Sequence, residues 1–436
     1  MTRLRNFSLL LAAAASVPAF AQQQQQAPRR TVSLKEALQL AAKQGPDVAA
    51  ARAQAQVTGA SMNKAWTAWQ PDIVATGTFG HTSAPAIIPA GVLGPLPITI
   101  VEENSKYATF QLSQPLLTPQ GLFGPGIANS ATEAAERGAD EAREQVLLNV
   151  ARTYLVLQGI EGLLIAARDA EKVALRREQD ARARIAAGTD VEIGLLRAQT
   201  ETAQARAQIA AFEGQQQSLL PLLEALTGES IAPQPLSGAP QDVGAPAQES
   251  AQPWEAAFSV KSARAATEAA QKSVRLDQFA WMPSVAGVAR ENYNSNGGFA
   301  GKNWTYDLIV NVSVPLYDRG LRYAQLHEDQ ARLARAQADL AAARARARSA
   351  WIGARANLAA ADAVLQQSES QAQLATRAQA QVDASYRAGV ATSLDVSDAD
   401  QKKFAAQSAA AQSRALREIR RAELAAAAGL LYESVH

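Results

Sequence analysis

Hydrophobic residues recur every three to four positions along most of this chain, a spacing typical of amphipathic helices. In the longest such stretch, residues 118–187, the positions Val146, Val150, Tyr154 and Leu157 fall on one face. A helix of this length would extend about 100 Å at about 1.5 Å per residue. Its alanines allow close helix contacts, and its interleaved Arg, Glu and Gln residues are suited to solvent-exposed faces. We therefore expect long helices that pack as coiled coils.

Shorter segments alternate apolar and polar residues instead. In residues 302–316, Trp304, Tyr306 and Leu308 share one face, while Thr305 and Asp307 share the other. Such alternation indicates either a transmembrane β-strand or a half-buried strand of a soluble sheet. Aromatic residues at the segment ends favour the membrane, where they would form an interfacial girdle. The predicted membrane-interface aromatics are Trp69, Trp281, Trp304 and Tyr306.

The chain also repeats itself at an offset of about 200 residues. Each copy has a helix, two strands around a loop, and a long helical hairpin that is broken at a glycine. The paired motifs are Trp-x-Pro at 69–71 and 281–283, Ser-x-Pro-Leu at 113–116 and 313–316, and the glycines Gly188 and Gly389. We predict a first repeat over residues 22–228, a Pro/Gly/Ala-rich linker or equatorial region over 229–253, and a second repeat over 254–436.

The first 21 residues read as a secretory signal peptide. Arg3 and Arg5 precede an apolar run over residues 9–17, and Ala19 and Ala21 provide small side chains for cleavage after Ala21. Beyond this segment, no window is an uninterrupted apolar stretch of helix-spanning length. If the exported protein crosses a membrane, we therefore expect it to do so with strands.

Four strands are predicted, at residues 72–81, 106–117, 283–293 and 302–316. Four strands cannot close a transmembrane barrel, since the smallest use about eight, and open edges are not tolerated in lipid. The strands must then be pooled between chains, and a trimer would supply twelve. The long helices, pooled in the same way, would continue the barrel as a helical tube.

Composition argues against several other classes of protein. The net charge is +1 with mixed signs, so no basic footprint for nucleic acid is present. The chain has no cysteine, which excludes a disulfide framework and a lipid-modified cysteine. The three histidines, His81, His327 and His436, lack metal-site spacing, and we find no nucleophile motif. We expect no enzyme activity, no cofactor and no metal.

The order and spacing of these motifs resemble the TolC family of outer-membrane efflux proteins across nearly the whole mature chain. The motifs that carry the resemblance are Trp-x-Pro, Gln-Pro-Leu-Leu at 114–117, Val-Pro-Leu-Tyr-Asp-Arg-Gly at 314–320, and the tip segments 184–188 and 386–399. The resemblance implies a mainly helical homotrimer with a twelve-stranded β-barrel in the Gram-negative outer membrane, continued by a long periplasmic coiled-coil α-barrel. It further implies a passive exit duct of a tripartite efflux pump or type I secretion system.

The same resemblance implies partners and roles. The partners are outer-membrane lipid, a periplasmic adaptor (membrane fusion) protein and an inner-membrane pump of the RND or ABC type. Gly188 and Gly389 would mark the helix tips that dock the adaptor. Tyr386, Asp395 and Asp398 would form the periplasmic gate, with three chains placing carboxylate rings around a narrow mouth. Spacing alone favours an ordinary solvated helix face for Asp395 and Asp398, and the gate role rests on the resemblance.

The sequence departs from the family pattern at this gate. Ala391 stands where tightly locked members have Arg, and Ile193 and Gly194 stand where Thr-Asp is frequent. We therefore expect the mouth to be held by a different or weaker set of contacts, for which Asp190 and Glu192 are candidates.

Two other classes of protein fit the sequence less well than a channel does. A periplasmic adaptor would have a single helical hairpin between β-rich halves. A soluble coiled-coil scaffold would need neither the signal peptide nor the alternating strands.

Overall fold

The computed structural model describes residues 29–92, 94–188, 191–235, 252–297 and 301–431. The predicted signal peptide, residues 236–251 of the predicted linker, Asp190 and His436 lie outside the described residues.

Long paired helices and a small antiparallel sheet make up most of the described chain. Its strands and helices, in chain order, are β1 (Arg30–Val32), α1 (Leu34–Gln44), α2 (Pro46–Trp66), β2 (Asp72–His81), β3 (Ala86–Ile88), β4 (Ile98–Val101), β5 (Asn104–Leu117), α3 (Pro119–Ala186), α4 (Glu192–Thr227), β6 (Ile231–Pro233), α5 (Phe258–Gln278), β7 (Ser284–Asn294), β8 (Trp304–Ser313), α6 (Leu321–Arg387) and α7 (Ser393–Ala427). The fold is mainly helical, as predicted.

The four predicted strands are confirmed and form one sheet in the order β2-β5-β7-β8, with antiparallel neighbours. Two strands come from each repeat, so the sheet joins the two copies through the β5–β7 pair. The last strand ends at Ser313, three residues before the predicted end at Leu316. Pro315 accounts for this, because proline has no N–H to give to a ladder.

The helical part is centred on α3, which packs against α2, α4, α5 and α7. The apolar face predicted for α3 is buried, since Val150, Tyr154 and Leu157 are each 0% exposed. The Tyr154 hydroxyl donates to the Val32 carbonyl oxygen at 2.7 Å and accepts from the backbone N–H of Gln234 at 3.1 Å. One buried tyrosine therefore fixes the β1–β6 ribbon to the central helix.

Among the described residues, one helix contains a strongly apolar window, although charged residues interrupt it. Helix α3 contains an 18-residue window that is long and apolar enough to cross a membrane, but 67% of that window is buried inside the molecule. The apolar residues of α3 serve the core of the helical bundle.

Three local features differ from the sequence expectation. The first predicted helix breaks at Gly45, where a Cβ would lie 2.4 Å from the Ala41 carbonyl oxygen and where Pro46 disfavours a helical conformation. The loop after β2 contains the short hairpin β3–β4. The predicted linker begins with β6, which pairs in parallel with β1.

Candidate channel wall and periplasmic mouth

The sheet exposes an apolar face that the fold itself does not cover. Tyr306, Leu308 and Val310 of β8 are 78%, 77% and 69% exposed, and Ile73 and Phe79 of β2 are 72% and 65% exposed. A soluble sheet would bury such a face against another layer. In the described chain, β2 and β8 are hydrogen-bonded to a neighbouring strand on one side only, so both edges of the sheet are open.

The opposite face carries polar side chains that are joined across strands. Thr109 Oγ1 donates to Asn292 Oδ1 at 3.2 Å, and Asn292 Nδ2 donates to Asp307 Oδ2 at 3.1 Å. Beside them, Arg290 Nη2 donates to Gln111 Oε1 at 3.1 Å. One apolar and one polar face is the arrangement expected of a barrel wall between lipid and water.

The predicted interfacial aromatics lie at both ends of the sheet but differ in their surroundings. Tyr306 is largely exposed, and the Trp304 ring packs on Tyr293 with centroids 5.0 Å apart. At the helical end, Trp281 packs on Tyr323 at 5.4 Å. These three aromatics lie at or beside surfaces that a girdle would use.

Trp69 is held inside the junction between β2 and α3. Its indole Nε1 donates to the Gly121 carbonyl oxygen at 2.7 Å, and its own carbonyl oxygen accepts from Gln114 Nε2 at 2.9 Å. A Cβ at position 121 would lie 2.7 Å from the indole ring. Trp69 thus braces the sheet against the helix, a contact that the sequence did not reveal.

The two predicted tips have the expected backbone. Gly188 and Gly389 follow the ends of α3 and α6 with φ of +73° and +77°, the left-handed region that glycine adopts without steric penalty. Apolar side chains are exposed just beyond the second tip, with Val390 at 82% and Leu394 at 60%. A tip that displays apolar residues to water is suited to contact another protein.

The two predicted gate carboxylates have partners within α7. Asp395 forms a capping box with Thr392, whose backbone N–H donates to Asp395 Oδ2 at 2.8 Å while the Thr392 hydroxyl accepts from the Asp395 N–H. The Thr392 hydroxyl also donates to Asp395 Oδ2 at 2.7 Å, and this bond, together with that from the Thr392 N–H, lowers the pKa of Asp395 and favours its ionised form. Asp398 Oδ2 pairs with Lys402 Nζ at 2.6 Å. The spacing Thr-x-x-Asp is a sequence signal that could have revealed the cap.

Tyr386 lies between the two hairpins rather than in open solvent. The Arg184 guanidinium is 4.6 Å from the centre of its ring, a cation–π arrangement. Tyr386 also lines a cleft with Gly194 of α4 and Ser393 of α7. It is therefore placed where the helices of the two hairpins meet.

Arg177, Asp383 and Asp400 form a polar link between the two hairpins, which we call the Arg177 junction. It was not predicted from the sequence. Arg177 of α3 donates to Asp383 of α6 at 3.4 Å and, through Nε, to Asp400 of α7. Burial would lower the pKa of Arg177, but the hydrogen bond that it donates to Asp400 and the nearby carboxylates raise the pKa above its ordinary value. No periodic signal distinguishes Arg177 from the many other arginines of α3.

Two further contacts stabilise the same region. Ser397 of α7 donates to Glu201 of α4, and Lys403 Nζ of α7 donates to Asp169 Oδ2 of α3 at 3.1 Å. Helix α7 is thereby bonded to both helices of the other hairpin close to the tips. In the described residues, no group of three or more His, Cys, Asp or Glu side chains could hold a metal ion.

Comparison with known proteins identifies the family. The sequence profile described as "Outer membrane efflux protein" matches residues 37–229 and 254–430. A sequence comparison with curated proteins found no significant match.

Solved outer-membrane channels have the same fold at low identity. The VceC protein of Vibrio cholerae is 19% identical with a TM-score of 0.75, covering 91% of this chain and 96% of VceC. The CmeC channel of Campylobacter jejuni is 15% identical with a TM-score of 0.76, covering 98% of this chain and 94% of CmeC. The MtrE channel of Neisseria gonorrhoeae is 17% identical with a TM-score of 0.75, covering 91% of this chain and 88% of MtrE.

The two faces of the sheet, the long paired helices and the family match define a membrane transport protein. The chain belongs to the outer membrane efflux protein family. It is an outer-membrane efflux channel, and its family is a class of transporters rather than of enzymes. The adaptor and scaffold interpretations are therefore set aside.

Proposed function

We propose that three chains pool their sheets into a closed twelve-stranded β-barrel, continued by an α-barrel of their long helices, which serves as the exit duct of an efflux or secretion machine. The observation that carries this proposal is the four-stranded sheet with two open edges and an exposed apolar face. Unpaired backbone groups are not tolerated in lipid, so β2 of one chain must pair with β8 of the next. The proposed layout keeps a signal peptide at 1–21, repeats at 22–228 and 254–436, and a connecting region at 229–253.

Cysteine cross-linking tests the pairing directly, because the chain has no native cysteine. Thr76 lies on the polar face of β2, opposite Thr109. We would combine Thr76→Cys with a cysteine at Asp307, Ile309 or Asn311, which share the polar face of β8. Partners in register should give oxidised trimers on denaturing gels, since a disulfide needs Cα atoms about 4.4–6.8 Å apart.

Thr76→Cys with Leu308→Cys is the matched control, because Leu308 lies on the opposite face. The closed barrel is contradicted if none of the three polar-face pairs gives a product above this control. It is supported if one register cross-links the purified protein and the protein conducts ions across a planar bilayer.

The periplasmic gate is proposed to consist of Tyr386, Asp395 and Asp398, held in place by the Arg177 junction. Rings of three carboxylates would favour cations at the mouth. Asp395→Asn keeps an oxygen for the Thr392 cap while removing the charge, so its effect on conductance would not come from a frayed helix. Asp339→Asn, an exposed acid far along α6 with a 64% exposed side chain, is the control. Reduced cation selectivity in Asp395→Asn but not in the control supports the gate; equal behaviour refutes it.

The hairpin tips at Gly188 and Gly389 are proposed to dock a periplasmic adaptor, and through it an inner-membrane pump of the RND or ABC type. The exposed side chains of Val390 and Leu394 support an apolar contact there. Val390→Glu should abolish efflux in cells while leaving single-channel conductance unchanged. A variant that exports substrate as well as wild type would contradict docking through this tip.

A further inference from the structure

The turn between β8 and α6 contains an arginine in an unusual conformation. Arg319 has a φ of +63°, and no other described residue except glycine has a positive φ. Side chains with a Cβ are crowded in this left-handed region, so glycine would be the easier residue to place there. An arginine here carries a steric cost that glycine would avoid, which points to a use for its side chain.

The Arg319 side chain is exposed, and within the described chain it makes no hydrogen bond or ion pair. Its neighbour Arg322 is fully engaged, because it bonds Asp318 at 3.1 Å and lies 4.8 Å from the Trp281 ring. Asp318 also accepts from the N–H groups of Gly320 and Arg322, at 3.2 and 3.1 Å. The start of α6 is thus already capped, and Arg319 remains as the cation of this turn that has no partner.

The surroundings of Arg319 indicate a membrane interface. The turn follows β8 by only a few residues, and the side chains on either side are strongly exposed: Leu316 at 85%, Tyr317 at 83%, Leu321 at 63% and Tyr323 at 59%. Exposed leucines beside tyrosines and an arginine match the composition of segments that lie at the boundary of acyl chains and headgroups.

We propose that Arg319 binds the phosphate of an anionic phospholipid headgroup in the periplasmic leaflet, with Leu316 and Leu321 against its acyl chains. This inference rests on the proposed barrel, because the turn lies at the periplasmic end of a strand placed in the bilayer. Edge pairing between chains uses backbone groups of β8, so the pairing itself does not require the side chains of this turn.

The test is competitive lipid retention, measured by native mass spectrometry on the full mature protein extracted from bilayers of equal phosphatidylglycerol and phosphatidylcholine with identical acyl chains. Wild type should retain phosphatidylglycerol preferentially. Arg319→Gly should lower that preference about five-fold, the factor expected for one basic side chain at an anionic surface. Because glycine adopts the local φ easily, this variant should fold at least as well as wild type.

Two control variants test whether a positive charge is sufficient and whether its position at residue 319 matters. Arg319→Lys should keep most of the preference, and Arg335→Gln, which removes an 85% exposed arginine further along α6, should keep all of it. Equal retention of both lipids by wild type, or an unchanged preference in Arg319→Gly, overturns the site. Displacement of the lipid by millimolar inorganic phosphate would show a simple anion site and also overturn it. A protein that never enters the bilayer contradicts the channel itself, a separate result.

Discussion

Removing the Arg177 side chain should loosen helix α7 near the hairpin tips. The variant Arg177→Met keeps a stem of similar length but leaves Asp383 and Asp400 facing each other without the cation that holds them. Both carboxylates belong to the hairpin opposite α3, so the change acts on the contact between the two hairpins.

The free energy lost in Arg177→Met depends on how deeply the ion pairs are buried. Breaking a fully buried ion pair costs about 3–5 kcal/mol, whereas an exposed pair contributes about 0–1 kcal/mol. The side chains of Arg177, Asp383 and Asp400 are 17%, 25% and 16% exposed, so we discount for solvent and expect about 2–3 kcal/mol. If that energy is lost from local opening, amide exchange should accelerate about 30- to 150-fold.

Hydrogen exchange of peptides covering residues 396–403 measures this opening under native conditions. Arg206→Met is the matched control, because Arg206 joins Glu171 at 3.0 Å with a 61% exposed side chain and should matter little. Arg177→Met with Asp400→Asn should recover part of the protection by removing one of the stranded charges. Exchange in Arg177→Met no faster than in Arg206→Met would refute the argument that this junction holds the hairpins together.

Further predictions concern stability. Asp277 has its pKa raised, chiefly by burial and by the carboxylate of Asp329. The contribution of Asp277 to folding stability is therefore present at acidic pH and is lost as the pH rises through the folded-state pKa. Asp277→Asn should raise the melting temperature near neutral pH, and this gain should vanish toward about pH 4. Gly159→Ala should destabilise the protein by about 1–3 kcal/mol in thermal unfolding, because its Cβ would lie 2.8 Å from a Cβ of α7. Gly214→Ala, which meets nothing within 4 Å, should stabilise it by up to about 1 kcal/mol; the reverse order would contradict the packing.

The strands and helices could be predicted because each depends on a local pattern. The predicted limits of β2, Asp72 and His81, are those observed, and helical spacing identified the buried face of α3. Repetition located the second pair of strands, but the β5–β7 pairing that joins the two copies was seen only in the structure. The helix break at Gly45 is also encoded locally, because Pro46 disfavours a helical conformation at the residue before it. One continuous helix was nevertheless predicted there from the sequence.

The contacts of the mouth could not be predicted in the same way. Arg177 meets residues more than 200 positions away on two helices, and its face is set by how the hairpins cross rather than by any local motif. Trp69 was assigned to the interface because its type is common there, yet its indole is used by the backbone of α3. Residue type indicates what a side chain can do, and only packing decides which partner it finds.

The partners of Asp395 and Asp398 imply that the two proposed carboxylate rings would differ in the negative charge they present to a passing ion. Lys402 lies 2.6 Å from Asp398, so that pair is nearly neutral when seen from the channel axis. Asp395 is bound by neutral donors of Thr392, and its charge is not compensated. Asp395→Asn should therefore lower cation selectivity more than Asp398→Asn does.

Lys402→Gln gives the sharper test because its sign is opposite. Removing the lysine exposes the Asp398 charge, so cation selectivity in a planar bilayer should rise above wild type at low salt. The increase should shrink near 1 M salt, where the screening length is about 3 Å. Selectivity that stays the same or falls in Lys402→Gln at low salt would show that these side chains do not face the conducting path, and the proposed gate would have to be placed elsewhere along the hairpins.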